Sequence, residues 1–485
     1  MTEARALVIG GGLAGLGAAL FFRRLGLKVS LVERLPRLGS LARGFSRQGL
    51  SFETGFHYAG GLGRDGILRR YLDCLGILNR LTIRPLPDPG GETLRLTDSG
   101  RDFELPAGFE EFRKLLPADP AVDAFFKEGQ AYIDQSPFLN PAGGDFDPQA
   151  FHQTGPDLES RLAGLPLGPV QKCLLAFRCL LYGSRPNEAA LNEFSLVNGP
   201  YLEAAASFEG GGEALTRAFE AVLAEKEVEI RCGALVTALE TDADNGFQAA
   251  VVRGRSGPER RPADFCVFTG PPGALPDLLP PGALRPILTR RLKNLKQTLS
   301  PFILFGAARR DFPGGRQFFI APGSNPADWF DPERGAIYLS AGSGRDGRWP
   351  LTAVTSMPRE ATAPWRDSRS GARPPAYLAF KQERAESLRR RILDLCPELA
   401  GELEIVDSAT DLSLRHYAGP GSGGGLYGRL HGLGEAPVLP MTRVGRLALA
   451  GQNIVLPGLL GVLVSAAVAV GVLMGPEKVL EVLRS

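Results

Sequence analysis

Histidine is scarce in this chain, and the shortage removes a class of chemistry. Only four occur in 485 residues, and no pair has the spacing of a metal site. Cysteine is little more common. The six cysteines (Cys74, Cys173, Cys179, Cys232, Cys266 and Cys396) form no CxxC, and most sit among apolar residues. That pattern excludes a disulfide scaffold or zinc ribbon and predicts reduced core thiols in a cytoplasmic compartment. Net charge is also small. A formal +2 gives no electrostatic case for a nucleic-acid partner. A secretory leader is not expected, because the first apolar strand starts within a few residues of Met1. Long apolar runs are nearly absent. The one extended stretch, Ile454–Gly475, is interrupted by Pro457, Gly458, Gly461 and Gly471. It is expected to be a buried, closely packed helix rather than a membrane span.

What the sequence does contain begins at once. Ala6–Ile9 is a short apolar strand that stops at Gly10, Gly12 and Gly15, the GxGxxG spacing. A helix is expected over Leu13–Leu25, ended by Gly26, and a second strand over Lys28–Val32 closes on Glu33. Each part has a physical task in binding a dinucleotide. Gly10 makes the tight turn, Gly12 lets the backbone approach a pyrophosphate, and Gly15 lets helix and strand pack closely. Leu13 and Ala14 open the helix, whose free N–H groups and partial positive charge face the phosphates. Glu33 lies 18 residues past Gly15, near the spacing of a ribose-binding carboxylate. Its neighbour Arg34 reads either as a holder of an NADP 2′-phosphate or as a solvated surface arginine. The fingerprint occurs once. A dedicated NAD(P)H domain is therefore not expected, which leaves a transient visit by NAD(P)H or a separate electron donor or acceptor.

The chain is longer than one core usually organises, so two intimately connected domains are expected. Residues 65–200 are mostly helical in pattern, with Pro-rich breaks near 85–89 and 136–147. Pro169 opens a helix that runs to Tyr182 and ends at Gly183. After Gly210–Gly212 the pattern predicts a helix over Glu213–Lys226 and strands over Val228–Cys232 and Ala234–Glu240. A hairpin through Phe247–Val252 and Ala263–Phe268 is expected next, with Arg253–Pro262 as its turn. Residues 285–405 read as strands plus one amphipathic helix, Glu383–Leu395, with a polar excursion at 342–375 expected to be a mobile loop. The last block is a strand at Leu447–Ala450, a loop at Ile454–Pro457 and a helix over Gly458–Met474.

The segments from Val8 to Tyr58, Gly210 to Leu215, Thr410 to Gly428 and Gly451 to Gly461 appear in an order and spacing that resembles the phytoene desaturase superfamily of FAD-dependent oxidoreductases. The resemblance is strongest to its retinol saturase and carotenoid isomerase branch. The cues are Glu53-Thr-Gly-Phe-His57-Tyr58, the Arg415/Tyr417 pair and Gly451-Gln452. It implies an α/β fold: a Rossmann-type FAD-binding domain of the glutathione reductase and amine oxidase type, with an inserted mixed-sheet and helical substrate domain. Residues 1–64, 201–284 and 406–485 would form the FAD-binding domain, and 65–200 with 285–405 the substrate domain. The resemblance assigns FAD contacts to Gly10, Gly12, Gly15, Glu33 and Arg43 and to the Gly39–Arg43 turn that includes Ser40 and Leu41. It also assigns them to Val236 by its backbone, to Gly451 and Asn453, and to the helix start Leu459, Leu460, Gly461 and Val462. Ser40 stands where the family has a second glycine, and Asn453 where it usually has an acid.

The implied substrate is a polyene or isoprenoid-like lipid in a deep apolar tunnel, with peripheral membrane contact as its route of entry. The implied chemistry is saturation, desaturation or isomerisation at conjugated double bonds. Such chemistry needs a hydride acceptor or donor and one proton. The candidate proton donors are His57, Tyr58, His416 and Tyr417, of which an imidazole near neutral pKa is best matched. Tyr427 reads as a wall residue and Arg415 as structural. Two other classes share the fold: amine oxidases, and non-catalytic escort proteins whose dinucleotide glycines have degenerated. The intact Gly10, Gly12 and Gly15 argue against the second.

Overall fold

Arg5–Ile9 is apolar on both faces because it lies in the middle of a parallel sheet, buried on each side. Its neighbours are Lys28–Val32 and Phe265–Phe268, with Glu229–Arg231 and Leu447–Leu449 at the edges. The sheet is thus assembled from three remote stretches of chain. This computed structural model describes residues 3–141, 156–312, 315–399, 401–435 and 437–485. Part of the break expected at 136–147 lies outside the described residues.

The second body is a seven-stranded mixed sheet. Its order is Leu403–Ala409, Ser300–Ala308, Trp349–Met357, Ile337–Ala341, Gln317–Ala321, Glu92–Leu96, Arg101–Leu105. Helix Pro375–Leu395 covers one face, with Ala385, Leu388 and Ile392 packed on Phe302, Leu304 and Leu351. Alternate residues of the same strands turn the opposite way. There Phe319 and Leu94 join Phe177 and Phe194 in a separate core. Two strands from the 92–105 region thus share a sheet with five from the 300–409 region.

Several expectations need correction. Arg253–Pro262 is not simply a turn. Gly257–Pro262 is an exposed edge strand hydrogen-bonded to Phe247–Gly254, and the turn is only Arg255 and Ser256. Its charged residues alternate on a solvated edge, which imitates a loop in sequence. Phe265–Phe268 leaves that hairpin and joins the central sheet. The excursion at 342–375 contains Trp349–Met357, a buried strand paired on both sides. Its threonines and small residues hide in the sheet and give little hydrophobic signal. Helix Ile67–Cys74 begins just past the expected boundary, yet its Leu68, Tyr71 and Leu72 belong to the core of the parallel sheet.

The apolar stretch is a helix, Gly458–Met474, buried along most of its length. It packs against the first helix, Leu13–Arg24. A Cβ on Gly17 would stand 2.9 Å from Leu463 and 3.4 Å from Ala466, so the two backbones approach as closely as small residues allow. Among the described residues, no helix is long and apolar enough to cross a membrane. Ser465 on this helix is fully buried, and its hydroxyl accepts the Gly451 N–H at 2.9 Å. Ser465→Ala leaves that N–H buried without a partner. It should lower stability by about 1–3 kcal/mol, read as a shifted denaturation midpoint.

Candidate functional site

The glycine fingerprint separates into three jobs that the geometry distinguishes. Gly10 sits at φ +110°, and a Cβ there would strike the Thr269 hydroxyl at 2.3 Å. A Cβ on Gly15 would lie 1.9 Å from the Gly10 carbonyl oxygen. These two glycines serve the protein's own packing. Gly12 differs: a Cβ there meets nothing nearer than Ser40 at 3.6 Å. The space above Gly12 belongs to the cleft, which is what close approach of a pyrophosphate requires.

Glu33 is buried and its carboxylate accepts the Gly11 N–H at 2.5 Å and the Leu35 N–H at 2.6 Å. It braces the strand–helix turn beneath the cleft. Val236 is buried two residues past Ala234, whose N–H donates to the Glu33 carbonyl. Ser40 adopts φ +46°, the left-handed region that favours glycine and that a serine occupies at some strain. Arg43 does not face the cleft. Its guanidinium is held by Glu213 at 2.6 Å, by Glu220 at 3.0 Å and by the Leu38 carbonyl, which gives it an ion-pair role within the chain. Arg34 likewise donates to the carbonyls of His416 and Tyr417, fixing the end of helix Asp411–Ala418.

One cavity collects most of the expected residues. Gly12, Leu13, Ala14, Ser40 and Leu41 line one end, and Gly451, Asn453 and Leu459–Val462 line the facing wall. Two helix N-termini, those of Leu13–Arg24 and Gly458–Met474, therefore converge on one space. Both present unpaired N–H groups and partial positive charge to it. The space is about 2200 Å³ when its open, solvent-filled mouth is included. Gly10, Gly15, Glu33, Arg34, Arg43 and Val236 lie behind or beside this lining rather than in it.

Asn453 is held from behind. Its side-chain oxygen accepts the Arg429 N–H at 2.8 Å, and the Arg429 guanidinium donates to its carbonyl at 2.7 Å. Arg429 also donates to His431 Nδ1, which leaves Nε2–H of His431 to donate to the Gln452 carbonyl at 2.6 Å. Burial pushes Arg429 down to about 10 and His431 well below its usual range. This brace is not legible in the sequence, because Arg429 and His431 sit in a Gly-rich loop with no recognisable motif.

The proton-donor candidates sort clearly. His416 and Tyr417 lie at the end of a helix outside the cavity lining, and Tyr417 is exposed. Tyr58 lines the cavity, but its hydroxyl donates to Glu92 at 2.6 Å, and Glu92 is locked to buried Arg178. Burial and the Glu92 charge hold the Tyr58 phenol well above its ordinary pKa, so it is a poor acid. His57 also lines the cavity, its ring edge-on to Tyr338 at 5.2 Å. Burial lowers it to about 4. The expected near-neutral imidazole is thus corrected: at pH 7 His57 is neutral. Aromatic walls that sequence reasoning missed complete the site: Tyr201, Phe319, Trp329 and Tyr338.

Two expectations follow. Gly12→Val fills space the protein itself leaves empty, so the chain should fold normally and lose bound dinucleotide. Retention of full cofactor absorbance by the purified variant would refute the assignment. The second concerns pH. His57 falls from 6.5 unfolded to about 4 folded, so its contribution to stability is present above 6.5 and lost as pH drops to 4. Glu53 is raised by burial from 4.5 to about 7, so its contribution is present below 4.5 and lost as pH rises through 7. Melting temperature against pH should flatten on the acid side in His57→Gln and on the neutral side in Glu53→Gln. Curves parallel to the native one would contradict this.

Comparison with known proteins agrees with the geometry. The profile of the flavin containing amine oxidoreductase family matches residues 13–355. All-trans-retinol 13,14-reductase of Danio rerio is 23% identical across 98% of this chain and 87% of its own. The Homo sapiens protein of that name is 24% identical across 95% of this chain and 84% of its own. Among solved structures, an oxidoreductase from Methanosarcina mazei aligns with TM-score 0.66 and 14% identity over 96% of this chain and 99% of its own. Cyclohexylamine oxidase from Brevibacterium oxydans aligns with TM-score 0.59 and 15% identity over 99% of each chain. With its glycine turn, facing helix N-termini and family profile in agreement, the chain belongs to the flavin-containing amine oxidoreductase family and has FAD as its cofactor.

Proposed function

We infer that the protein acts on carbon–carbon double bonds of a hydrophobic polyene or isoprenoid-like lipid. The observation that carries this reading is the cavity wall. It is lined by apolar and aromatic side chains such as Leu180, Leu196, Phe319 and Trp329, and none of its lining residues is Asp, Glu, Lys or Arg. A wall of that kind suits a long uncharged hydrocarbon, whose transfer from water contributes about 25 cal/mol per Å² buried. The name all-trans-retinol 13,14-reductase, carried by relatives along nearly the whole chain, supports reduction as the direction.

Gly12, Leu13, Ala14, Ser40 and Leu41 would hold the dinucleotide, with Asn453 and Leu459–Val462 at the other end. When bound there, FAD supplies hydride exchange with carbon. The chain's own residues must exclude water and deliver one proton. His57 suits delivery as a relay. A neutral imidazole gives a proton from one nitrogen as it takes one on the other, and no stored imidazolium is needed. Tyr58 is a positioning residue, fixed by Glu92 and Arg178. The electrons come from NAD(P)H or a separate donor, and peripheral contact with a bilayer brings the lipid to the cavity.

The test is anaerobic. Reduced, flavin-loaded protein should be reoxidised by a conjugated polyene, with two hydrogens added across one double bond. In deuterated water one of the two should be deuterium. His57→Ala should keep its flavin and lose turnover by about 10²–10⁴-fold. An isomeric product without deuterium would favour isomerisation. Reduction of oxidised flavin by amines, with no response to polyenes, would favour an amine oxidase.

A further inference from the structure

A second cavity, about 2730 Å³ including its mouth, opens beside the first, and His57 lines both. The same strands run beneath both. Phe319, Tyr338 and Val354 are paired across three adjacent strands and face the first cavity. Two residues along each strand, on the same face, Gln317, Ser340 and Thr352 are paired likewise and line the second. The sheet is therefore one floor that changes from aromatic to polar in a single step. The Tyr338 hydroxyl donates to Gln317 at 2.5 Å across that step.

The second chamber is rich in arginine. Arg37 and Arg217 share one carboxylate, Glu213, which Arg43 also uses. Arg80 pairs with Glu225. Among the described residues, the Arg84 side chain has no ion pair or hydrogen bond. Arg345 reaches only its exposed neighbour Asp346, at 3.5 Å. The lining itself holds two acids, Glu213 and Glu53, while Glu225 and Asp346 outside it take up Arg80 and Arg345. Arg37 and Arg217 are left to share Glu213 with Arg43, and Arg84 has no carboxylate among the described residues. Planar arginine forks of this kind match phosphate and carboxylate oxygens.

We propose that the two chambers form one amphipathic track, and that the substrate is a polyene or isoprenoid with an oxyanion head, phosphate or carboxylate, seated among Arg84, Arg217 and Arg37. The apolar tail lies in the first cavity, and the junction falls at His57. This rests on the polyene reading and adds the head group. It also sets this chain apart from relatives whose name specifies retinol, a neutral alcohol.

The experiment uses the flavin-loaded full chain and polyenes that share one tail and carry a diphosphate, a carboxylate or an alcohol head. Inorganic pyrophosphate serves as a separate binding probe by calorimetry. The expected result is a KM lower by about tenfold or more for one anionic head than for the alcohol. Arg84→Ala combined with Arg217→Ala should erase that preference and pyrophosphate binding while leaving the alcohol's kinetics unchanged. Lys at both positions should restore part of each. Diphosphate against carboxylate then tells which oxyanion is meant. Indifference to the head group, or no pyrophosphate binding by the native protein, would overturn the proposal. So would a pyridine dinucleotide that reduces the flavin and competes with pyrophosphate, because the chamber would then belong to the reductant. If no polyene reacts while pyrophosphate binds the native chain and not the double variant, the oxyanion site stands and the polyene reading fails.

Discussion

Everything in the site depends on two helices crossing at near contact. Leu13–Arg24 and Gly458–Met474 come from opposite parts of the sequence, and each must present its N-terminus to the same space. Gly17 makes the approach possible, and Gly15 seats the first helix on its own strand. A side chain at Gly17 would push the helices apart, and one at Gly15 would lift the first helix off its strand; either would misdirect a dipole. The Glu33 carboxylate, the Ser465 hydroxyl and the Arg429–His431 brace are secondary fixings of that arrangement.

The electrostatic character of the molecule is divided by location. Around the first cavity, titratable groups are neutralised or locked away. His57 is held neutral, and Tyr58 is tied to an internally satisfied Glu92–Arg178 pair. A buried ion pair of this sort costs desolvation and returns little net stability. Its value here is that a phenol and a strand are held in place without exposing charge to an apolar ligand. Charge reappears only past the Tyr338–Gln317 step, where the chamber opens to water.

The parts of this arrangement differed in how far they could be read from sequence. The glycine turn, Glu33 and the closing helix were legible because each carries a local signature: fixed spacing, a terminal acid, an apolar run opened by proline. Lys28–Val32 and Gly458–Met474 have the bounds that pattern alone predicts. The ion pairs of Arg43 were not legible, since an arginine after a tight turn looks the same whether it meets a phosphate or Glu213. The strand Trp349–Met357 was hidden by its threonines. The aromatic wall was invisible for a deeper reason. Phe319, Tyr338 and Val354 are neighbours only through strand pairing, and no local pattern records which strands pair. The pKa of His57 was likewise out of reach, because burial is a property of the assembled cavity.

The discontinuous sheet has a consequence for how the protein is made. Leu447–Leu449 and the helix that follows complete a structure whose glycine turn emerged from the ribosome long before. Domains ordinarily fold as their chain appears, but this flavin cavity has no second wall until the closing helix arrives. Cofactor capture is therefore a late event in biosynthesis. Until then the face of the first helix that will receive Leu463 and Ala466 is uncovered, a period in which dependence on chaperones, and loss to aggregation, would be greatest.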